Sequence, residues 1–235
     1  MGSLVRNDNS KTKFYTELAY VVGLLALAAG AALMQRADFG MSMVVAPAYL
    51  IHLKVSQFLP FFSFGMAEYT LQLVIILALA LVLRRFRLSY LFSLVTAVLY
   101  GFALDGFIAL MGLIPDGGFA ARVIFFVVGE LMVAVGVALM FHTYISPEAY
   151  ELFVKELSDA HSIDIGRCKT VYDCVSCAVS IVLSFCFFGL WHFEGIGVGT
   201  VICALCNGWL IGQCSALLER RFDFFDRLAL RRYFG

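Results

Sequence analysis

Two stretches of the chain, VVGLLALAAGAALM at Val21–Met34 and VVGELMVAVGVALM at Val127–Met140, are related to each other. They are identical at 9 of 14 positions, and the matches include two glycines and the closing Ala-Leu-Met. Apolar helices share Leu and Ala by chance, but matched glycines and a shared ending are much harder to obtain that way. This similarity predicts that the chain contains an internal duplication.

Further matches extend the duplication on both sides. Phe64-Gly65 corresponds to Ile165-Gly166, and Ala97–Phe102 corresponds to Ala204–Trp209. Each half is then a long helix, a short segment and two more helices, over residues 14–111 and 119–217. Because three membrane crossings per half is an odd number, the second half must enter the membrane in the opposite orientation. Inverted repeats of this kind build many secondary transporters, with the binding site near the midplane between the halves.

The composition assigns the chain to the membrane class. Of its 235 residues 62% are hydrophobic and 14% are charged, whereas soluble domains carry about 25% charged residues. A helix needs about 20 apolar residues to cross the hydrocarbon core. The sequence therefore predicts an all-α membrane protein with six transmembrane helices in two inverted repeats, at residues 14–35, 64–83, 88–111, 119–141, 170–190 and 195–217.

Each half also contains a shorter segment between its first two spans. Residues 40–60 are apolar but interrupted by Pro47 and Pro60, and residues 146–166 are amphipathic and too charged to span. We expect one short re-entrant or amphipathic helix in each half.

Lysine and arginine placement predicts the orientation. An N-terminus in the cytoplasm puts 14 of the 17 cations on the inner side and leaves only Arg36, Lys54 and Arg122 outside. Residues 1–13 are then a cytoplasmic tail. Residues 218–235 form a basic amphipathic cytoplasmic C-terminus, whose arginines and aromatic residues favour a helix on the anionic inner leaflet.

Several stretches resemble the YczE/YitT-like family of bacterial multi-pass membrane proteins. They are Gly30–Ser42, Ser162–Asp173, Gly195–Gly212, and Gly101 followed by Asp105. Where that family usually has Gly-x-Ser-Pro, this chain has Gly40-Met41-Ser42-Met43, with the proline delayed to Pro47. The resemblance implies the fold and a location in the bacterial inner membrane, and it implies little about function.

Ionisable residues inside spans are candidates for function, because burying each costs roughly 2.5–3.5 kcal/mol on insertion scales. Glu130 lies midway along the fourth span, where the first half has Leu24. It is either a proton-exchanging group or a protonated residue that hydrogen-bonds between helices.

Other polar residues are predicted to line a cavity between the halves. The duplication pairs Asp173 with Gln72, so a polar side chain recurs at equivalent positions. Asp105 and Asn207 lie in the third and sixth spans. For each of these residues, a structural hydrogen bond or contact with headgroups and water is the alternative.

Arg36 and His142 occupy matching positions after the two Ala-Leu-Met endings. They are candidates for receiving an anionic solute at opposite membrane faces, or else interfacial anchors. Glu68 is a candidate partner for Arg36, which would make it structural.

Seven cysteines include Cys174-x-x-Cys177 and Cys203-x-x-Cys206. At 1.5 Å per residue the two pairs differ in depth by too much for one tetrahedral zinc site with bonds near 2.3 Å. We therefore expect no metal. A smaller thiol group of Cys174, Cys177 and Cys214 stays open, beside the interpretation that these cysteines are small apolar packing residues.

Three functions follow from these features. The first is a transporter or permease for a small solute, with a midplane site and proton coupling through residues such as Glu130. The alternatives are an intramembrane thiol or redox enzyme and an accessory protein that transports nothing. We find no enzyme signature, and expect no catalytic residue and no cofactor. The expected partners are the lipid bilayer and a small solute, without nucleic acid, and a homo-oligomer is left open.

Overall fold

A computed structural model describes residues 12–62, 64–114, 117–191 and 193–227 of the chain. Within them lie eight α-helices, one 3-10 turn at Leu88–Leu91 and two short strands. In chain order the elements are β1 (Thr12–Tyr15), α1 (Thr16–Ala37), α2 (Ala46–Val55), α3 (Phe64–Leu83), α4 (Phe92–Met111), α5 (Phe119–Phe141), α6 (Ala149–His161), α7 (Ile165–Phe188), α8 (Val198–Arg221) and β2 (Phe222–Phe225).

Six of these helices, α1, α3, α4, α5, α7 and α8, are long and apolar enough to cross a membrane. They coincide with the six predicted spans to within a few residues at each end. The protein is an all-α, multi-pass membrane protein, as its composition predicts. Lipid-facing surface accounts for the many exposed apolar side chains, which include Leu81, Phe102 and Val198.

Helices α1 and α5, which carry the duplicated stretch, pack against each other through its glycines. A β-carbon added at Gly30 would lie 2.6 Å from the carbonyl oxygen of Gly129, and one added at Gly136 would lie 2.7 Å from that of Gly23. Residue 23 thus lies beside residue 136, and residue 30 beside residue 129, so the two helices run antiparallel. Small residues allow such close backbone approach between apolar helices.

The other packing partners also correspond between the halves. Helix α4 packs on α1, as α8 packs on α5. Helix α2 lies against α3 and α7, and its counterpart α6 lies against the same two helices. Each short helix therefore contacts one long helix of its own half and one of the other half.

One pair of helices breaks this correspondence. Helices α7 and α8 are in close contact, and a β-carbon at Gly166 would lie 2.8 Å from the carbonyl oxygen of Gly208. Helices α3 and α4 barely touch. A shallow groove lies between them, with Tyr69, Thr70 and Leu73 on one side and Leu94 and Val98 on the other.

Both short helices begin in the interior and end near the surface. In α2, Ala46, Pro47 and Ala48 are buried, whereas the residues after its end, 57–61, are exposed. In α6, Ala149 to Leu152 are buried and Asp159 to His161 are exposed. The prediction of one short re-entrant or amphipathic helix in each half agrees with this arrangement.

The loops that enter the interior before α2 and α6 have their carbonyls bound by side chains. Thr200 donates to the Met41 carbonyl at 2.6 Å, and Ser176 donates to the Met43 carbonyl at 2.8 Å. On the other side, Thr96 donates to the Ser146 carbonyl at 2.8 Å. Irregular backbone at membrane depth needs partners of this kind, because lipid offers none.

The two ends of the described chain pair with each other. Strand β1 pairs in parallel with β2, with Thr12 opposite Phe222 and Tyr15 opposite Phe225. The prediction of an amphipathic helix in the C-terminal region is therefore wrong over Phe222–Phe225, where alternate aromatic side chains suit a strand better. The rest of both predicted tails, residues 1–11 and 228–235, lies outside the described residues.

Candidate functional site

Six ionisable or amide side chains lie together where α3 of the first half and α7 of the second each pack against α6. We call them the polar cluster: Glu68, Gln72, Glu148, Glu151, Lys169 and Asp173. All except Glu68 are buried, and Lys169 and Asp173 are 1% and 0% exposed. In an interior surrounded by apolar helices, each such group needs a partner or a proton.

Lys169 is the cation of the polar cluster. Its Nζ lies 2.8 Å from Asp173 Oδ1, one helical turn further along α7, and 3.4 Å from Glu151 Oε1 on α6. Nζ also lies 5.5 Å from the centre of the Tyr172 ring. Two carboxylates and an aromatic face thus offset the cost of removing this ammonium group from water.

Glu68 connects the first half to the second. Its Oε1 accepts a 2.7 Å hydrogen bond from the Tyr150 hydroxyl on α6 and a 3.3 Å bond from the Gln72 amide on α3. Burial raises the pKa of Tyr150 above its ordinary value, and the neighbouring Glu68 carboxylate raises it further. The phenol is therefore a hydrogen-bond donor at all ordinary pH values.

Glu148 is the residue that immediately precedes α6, at the end of the buried loop. Its carboxyl interacts electrostatically with Glu151, Glu68 and Lys169. Burial raises the pKa of Glu148 well above its ordinary value, and the two glutamates raise it further, while Lys169 opposes the shift. Glu148 therefore holds a proton at pH values where an exposed glutamate is ionised.

Helix α8 extends the polar contacts toward α5. The Asn207 amide donates to Asp173 Oδ2 at 3.3 Å. One turn earlier on α8, the Cys203 thiol is hydrogen-bonded to Glu130 of α5. Glu130 also interacts electrostatically with Lys169. Glu130 and Asn207 therefore adjoin the polar cluster.

Several acceptor atoms in this region lack a donor. No hydrogen-bond donor among the described residues reaches these buried oxygens: Glu68 Oε2, Gln72 Oε1, Glu130 Oε1, Glu148 Oε1, Glu151 Oε2 and Asn207 Oδ1. Buried polar atoms are nearly always hydrogen-bonded. Such a concentration of free acceptors indicates a place for protons, water or a ligand with donors of its own.

Four of the seven residues predicted to form the site lie in this region. Gln72 and Asp173 belong to the polar cluster, and Asn207 and Glu130 adjoin it. The predicted duplication pairs Gln72 with Asp173, and the structure brings both to the place where α3 and α7 each meet α6. The role of these residues in binding or coupling stays a prediction.

The other three predicted residues lie elsewhere. Asp105 is exposed on the outer face of α4, together with Phe102 and Gly106. Arg36 donates to the Ile114 carbonyl near the end of α1. His142 bonds the Ala138 carbonyl at 2.7 Å and Glu219 at 3.2 Å, and its ring stacks on Phe224.

Glu68 also differs from its sequence interpretation. Its described contacts are Tyr150 and Gln72, inside the bundle, rather than Arg36. The reason is that α6 enters the bundle beside α3 and offers a phenol that the outer loops do not. Sequence reasoning also missed Glu148, Glu151 and Lys169 as site residues, since all three lie in a charged segment outside the predicted spans.

The cysteines do not form a group with metal-binding geometry. Among the described residues, no three His, Cys, Asp or Glu side chains converge in a way that could hold a metal ion. Cys174 bonds the Ala204 carbonyl at 3.4 Å and Cys168 the Val154 carbonyl at 3.7 Å. These thiols act as packing and hydrogen-bonding groups between helices.

Comparison with known families adds one match. A model described as a family of unknown function, DUF6198, matches residues 14–216. The chain belongs to this family. The DUF6198 match spans both halves, from α1 almost to the end of α8, so the polar cluster lies within the family's common region. No curated protein and no solved structure matches the chain. The DUF6198 description does not refer to the YczE/YitT-like family, and that resemblance stays an expectation.

Proposed function

We propose that this protein transports a small solute across a bacterial cytoplasmic membrane, in exchange for or together with protons, and that the polar cluster is the site of coupling. The observation that carries the proposal is the polar cluster itself, in which Glu68 and Gln72 of α3 meet charged residues of α7 and of α6 with its preceding residue. Burial of ionisable groups inside a membrane protein costs folding free energy. A role in binding a charged solute or exchanging protons explains why such groups are present here.

The architecture supports the same proposal. The matched packing of the two halves and the antiparallel α1–α5 pair are what an inverted repeat predicts. Short helices that begin inside the bundle place helix ends and irregular backbone at the centre, as in secondary transporters. A rocking motion of one half against the other would expose the polar cluster to each side in turn.

The orientation of the chain in the membrane is part of the proposal. It places the loop before α5 outside the cell and the loop after α3 in the cytoplasm. Gly118 and Arg85 lie in exposed loops before α5 and after α3. Single cysteines at these positions, in a variant without the seven native cysteines, should differ in labelling by an impermeant maleimide in intact cells. Labelling at 118 alone supports the proposed orientation, with both termini in the cytoplasm, and equal or reversed labelling contradicts it.

The function is tested by proton movement in proteoliposomes that contain a pH-sensitive dye. Small solutes of cationic, neutral and anionic classes are added outside at equal concentration. We expect one class to change the internal pH, and Glu148→Gln to abolish the change. Asp105→Asn is the matched control, because it neutralises a carboxyl far from the polar cluster. No response to any class would contradict proton-coupled transport.

A further inference from the structure

The charge balance of the polar cluster restricts what it can bind. Glu68, Glu148, Glu151 and Asp173 supply four carboxyl groups, and the described cation among them is Lys169 alone. Lys169 already contacts Glu151 and Asp173 at 3.4 Å and 2.8 Å. Glu68 and Glu148 therefore have no cation of their own among the described residues. An anion placed here would meet uncompensated like charge, which disfavours it.

The acceptor atoms without donors independently indicate a ligand that carries hydrogen-bond donors. Gln72, which is 2% exposed, uses its amide N–H on Glu68 and leaves its carbonyl oxygen without a donor. Glu148 Oε1 and Glu151 Oε2 are also buried and without donors among the described residues. A ligand that satisfies these atoms must bring several N–H or O–H donors, since each unsatisfied buried acceptor costs about 1–3 kcal/mol.

The geometry does not suit a bare metal cation. No three carboxylates of the described residues converge as metal ligands do. The free oxygens instead belong to α3 and to the start of α6. A ligand with several separate donors suits oxygens on two different elements better than a single ion with short bonds does.

Two tyrosines contact charged members of the polar cluster. The Tyr150 hydroxyl is hydrogen-bonded to Glu68, and the Tyr172 ring lies beside Lys169. Among organic cations, a planar guanidinium group can donate two parallel hydrogen bonds to a carboxylate.

From these observations we infer that the polar cluster binds a small organic cation, with ammonium or guanidinium donors, between Glu68, Gln72 and Glu148. When the cation is absent, the carboxyl groups share a proton, and the cation replaces that proton when it binds. This inference rests on the proposed transport function and adds the class of solute. It makes the exchange electroneutral, because one positive charge enters the cluster as another leaves.

The test uses two probes of the same shape and different charge, guanidinium and urea, at millimolar concentration with the purified full-length protein in detergent. Isothermal titration calorimetry should show binding of guanidinium with release of protons to the buffer, and no binding of urea. Glu148→Gln and Glu68→Gln should each weaken guanidinium binding at least tenfold. Asp105→Asn should leave it unchanged.

The unmodified chain provides a second measurement, which does not depend on a variant folding. Guanidinium binding should weaken as the pH is lowered, because protons compete for Glu148 and its neighbours. The titratable groups that interact electrostatically with Glu148 are Glu68, Glu151, Lys169 and the phenols of Tyr20, Tyr100 and Tyr150.

The inference is overturned if guanidinium and urea bind equally, if sodium or potassium binds in place of organic cations, or if no organic cation binds at all. Its failure is distinguishable from failure of the proposed function. If a neutral or anionic solute drives proton movement, and Glu148→Gln abolishes that movement, the proposed transport function stands. Only the inference that the solute is a cation is then wrong.

Discussion

The Tyr150 hydroxyl donates a 2.7 Å hydrogen bond to Glu68 Oε1. This contact joins the first turn of α6, in the second half of the chain, to the first turns of α3, in the first half. It also fixes one carboxyl of the polar cluster in place while leaving Glu68 Oε2 without a donor. The two halves are therefore tied at a site that keeps free acceptors.

Removal of this phenol should destabilise the protein. Tyr150→Phe leaves Glu68 Oε1 with only the longer 3.3 Å bond from Gln72, and loss of a hydrogen bond to a charged group should cost about 1.5–3 kcal/mol. Thermal unfolding in detergent measures the loss. Tyr69→Phe is the matched control, because Tyr69 is exposed on the same helix as Glu68 and its change should be nearly silent. Equal effects of the two changes would show that the Tyr150–Glu68 bond contributes nothing.

Lys169 should be the most costly residue of the polar cluster to replace. Lys169→Met leaves Glu151 and Asp173 without their cation, and loss of one partner of a buried ion pair typically costs about 3–5 kcal/mol. Asp173→Asn added to this variant should restore part of the stability, because it removes one of the uncompensated charges. A double variant no more stable than Lys169→Met would contradict the ion-pair account.

Close packing of α1 on α5 predicts different costs for two glycine changes. A β-carbon at Gly30 would lie 2.6 Å from the Gly129 carbonyl oxygen, whereas nothing lies within 4 Å of one at Gly101. Gly30→Ala should cost about 1–3 kcal/mol through overpacking. Gly101→Ala should be neutral or slightly stabilising, since alanine favours helix over glycine. Measured unfolding midpoints that fall equally would contradict the antiparallel glycine contact.

The raised pKa of Glu148 predicts how stability depends on pH. A carboxyl that binds its proton more tightly in the folded protein makes folding less favourable as pH rises above its ordinary value of 4.5, up to the folded pKa. Glu148→Gln removes this cost. The variant should match the unmodified protein near pH 4.5 and exceed its stability progressively at higher pH, by up to about 1.4 kcal/mol per pH unit.

Unfolding midpoints of both proteins between pH 4.5 and pH 8 provide the check. Asp105→Asn serves as the control, since it neutralises a carboxyl outside the polar cluster. A stability difference between Glu148→Gln and the unmodified protein that is constant with pH would show that folding does not raise the pKa of Glu148.

Most of the fold could be predicted from the sequence, because length and hydrophobicity determine a membrane span almost by themselves. The predicted span at 64–83 coincides with α3, and that at 119–141 coincides with α5. The close contact of α1 with α5 was not predicted, because matched glycines do not specify which helix they pack against. The strand at Phe222–Phe225 could not be predicted, since it depends on a partner strand some 200 residues earlier in the chain.

The polar cluster could be predicted only in part. The distribution of lysine and arginine residues along the chain predicts that Lys169 lies in water at the inner membrane surface, because Lys169 is next to the end of a predicted span. The duplication carried a better signal, since the offset that pairs Gln72 with Asp173 also pairs Glu68 with Lys169. Glu148 and Glu151 join them only because α6 begins inside the bundle, and no local pattern specifies how deep a short amphipathic helix lies.

Solute accumulation driven by a pH gradient is the most direct test of the central claim, that the polar cluster couples solute movement to protons. Proteoliposomes with an acidic interior and no membrane potential are given labelled guanidinium or another organic cation that binds. The unmodified protein should accumulate the cation against its gradient. Glu148→Gln should fold and still equilibrate the cation without accumulating it. Accumulation that is unchanged in Glu148→Gln would contradict the account.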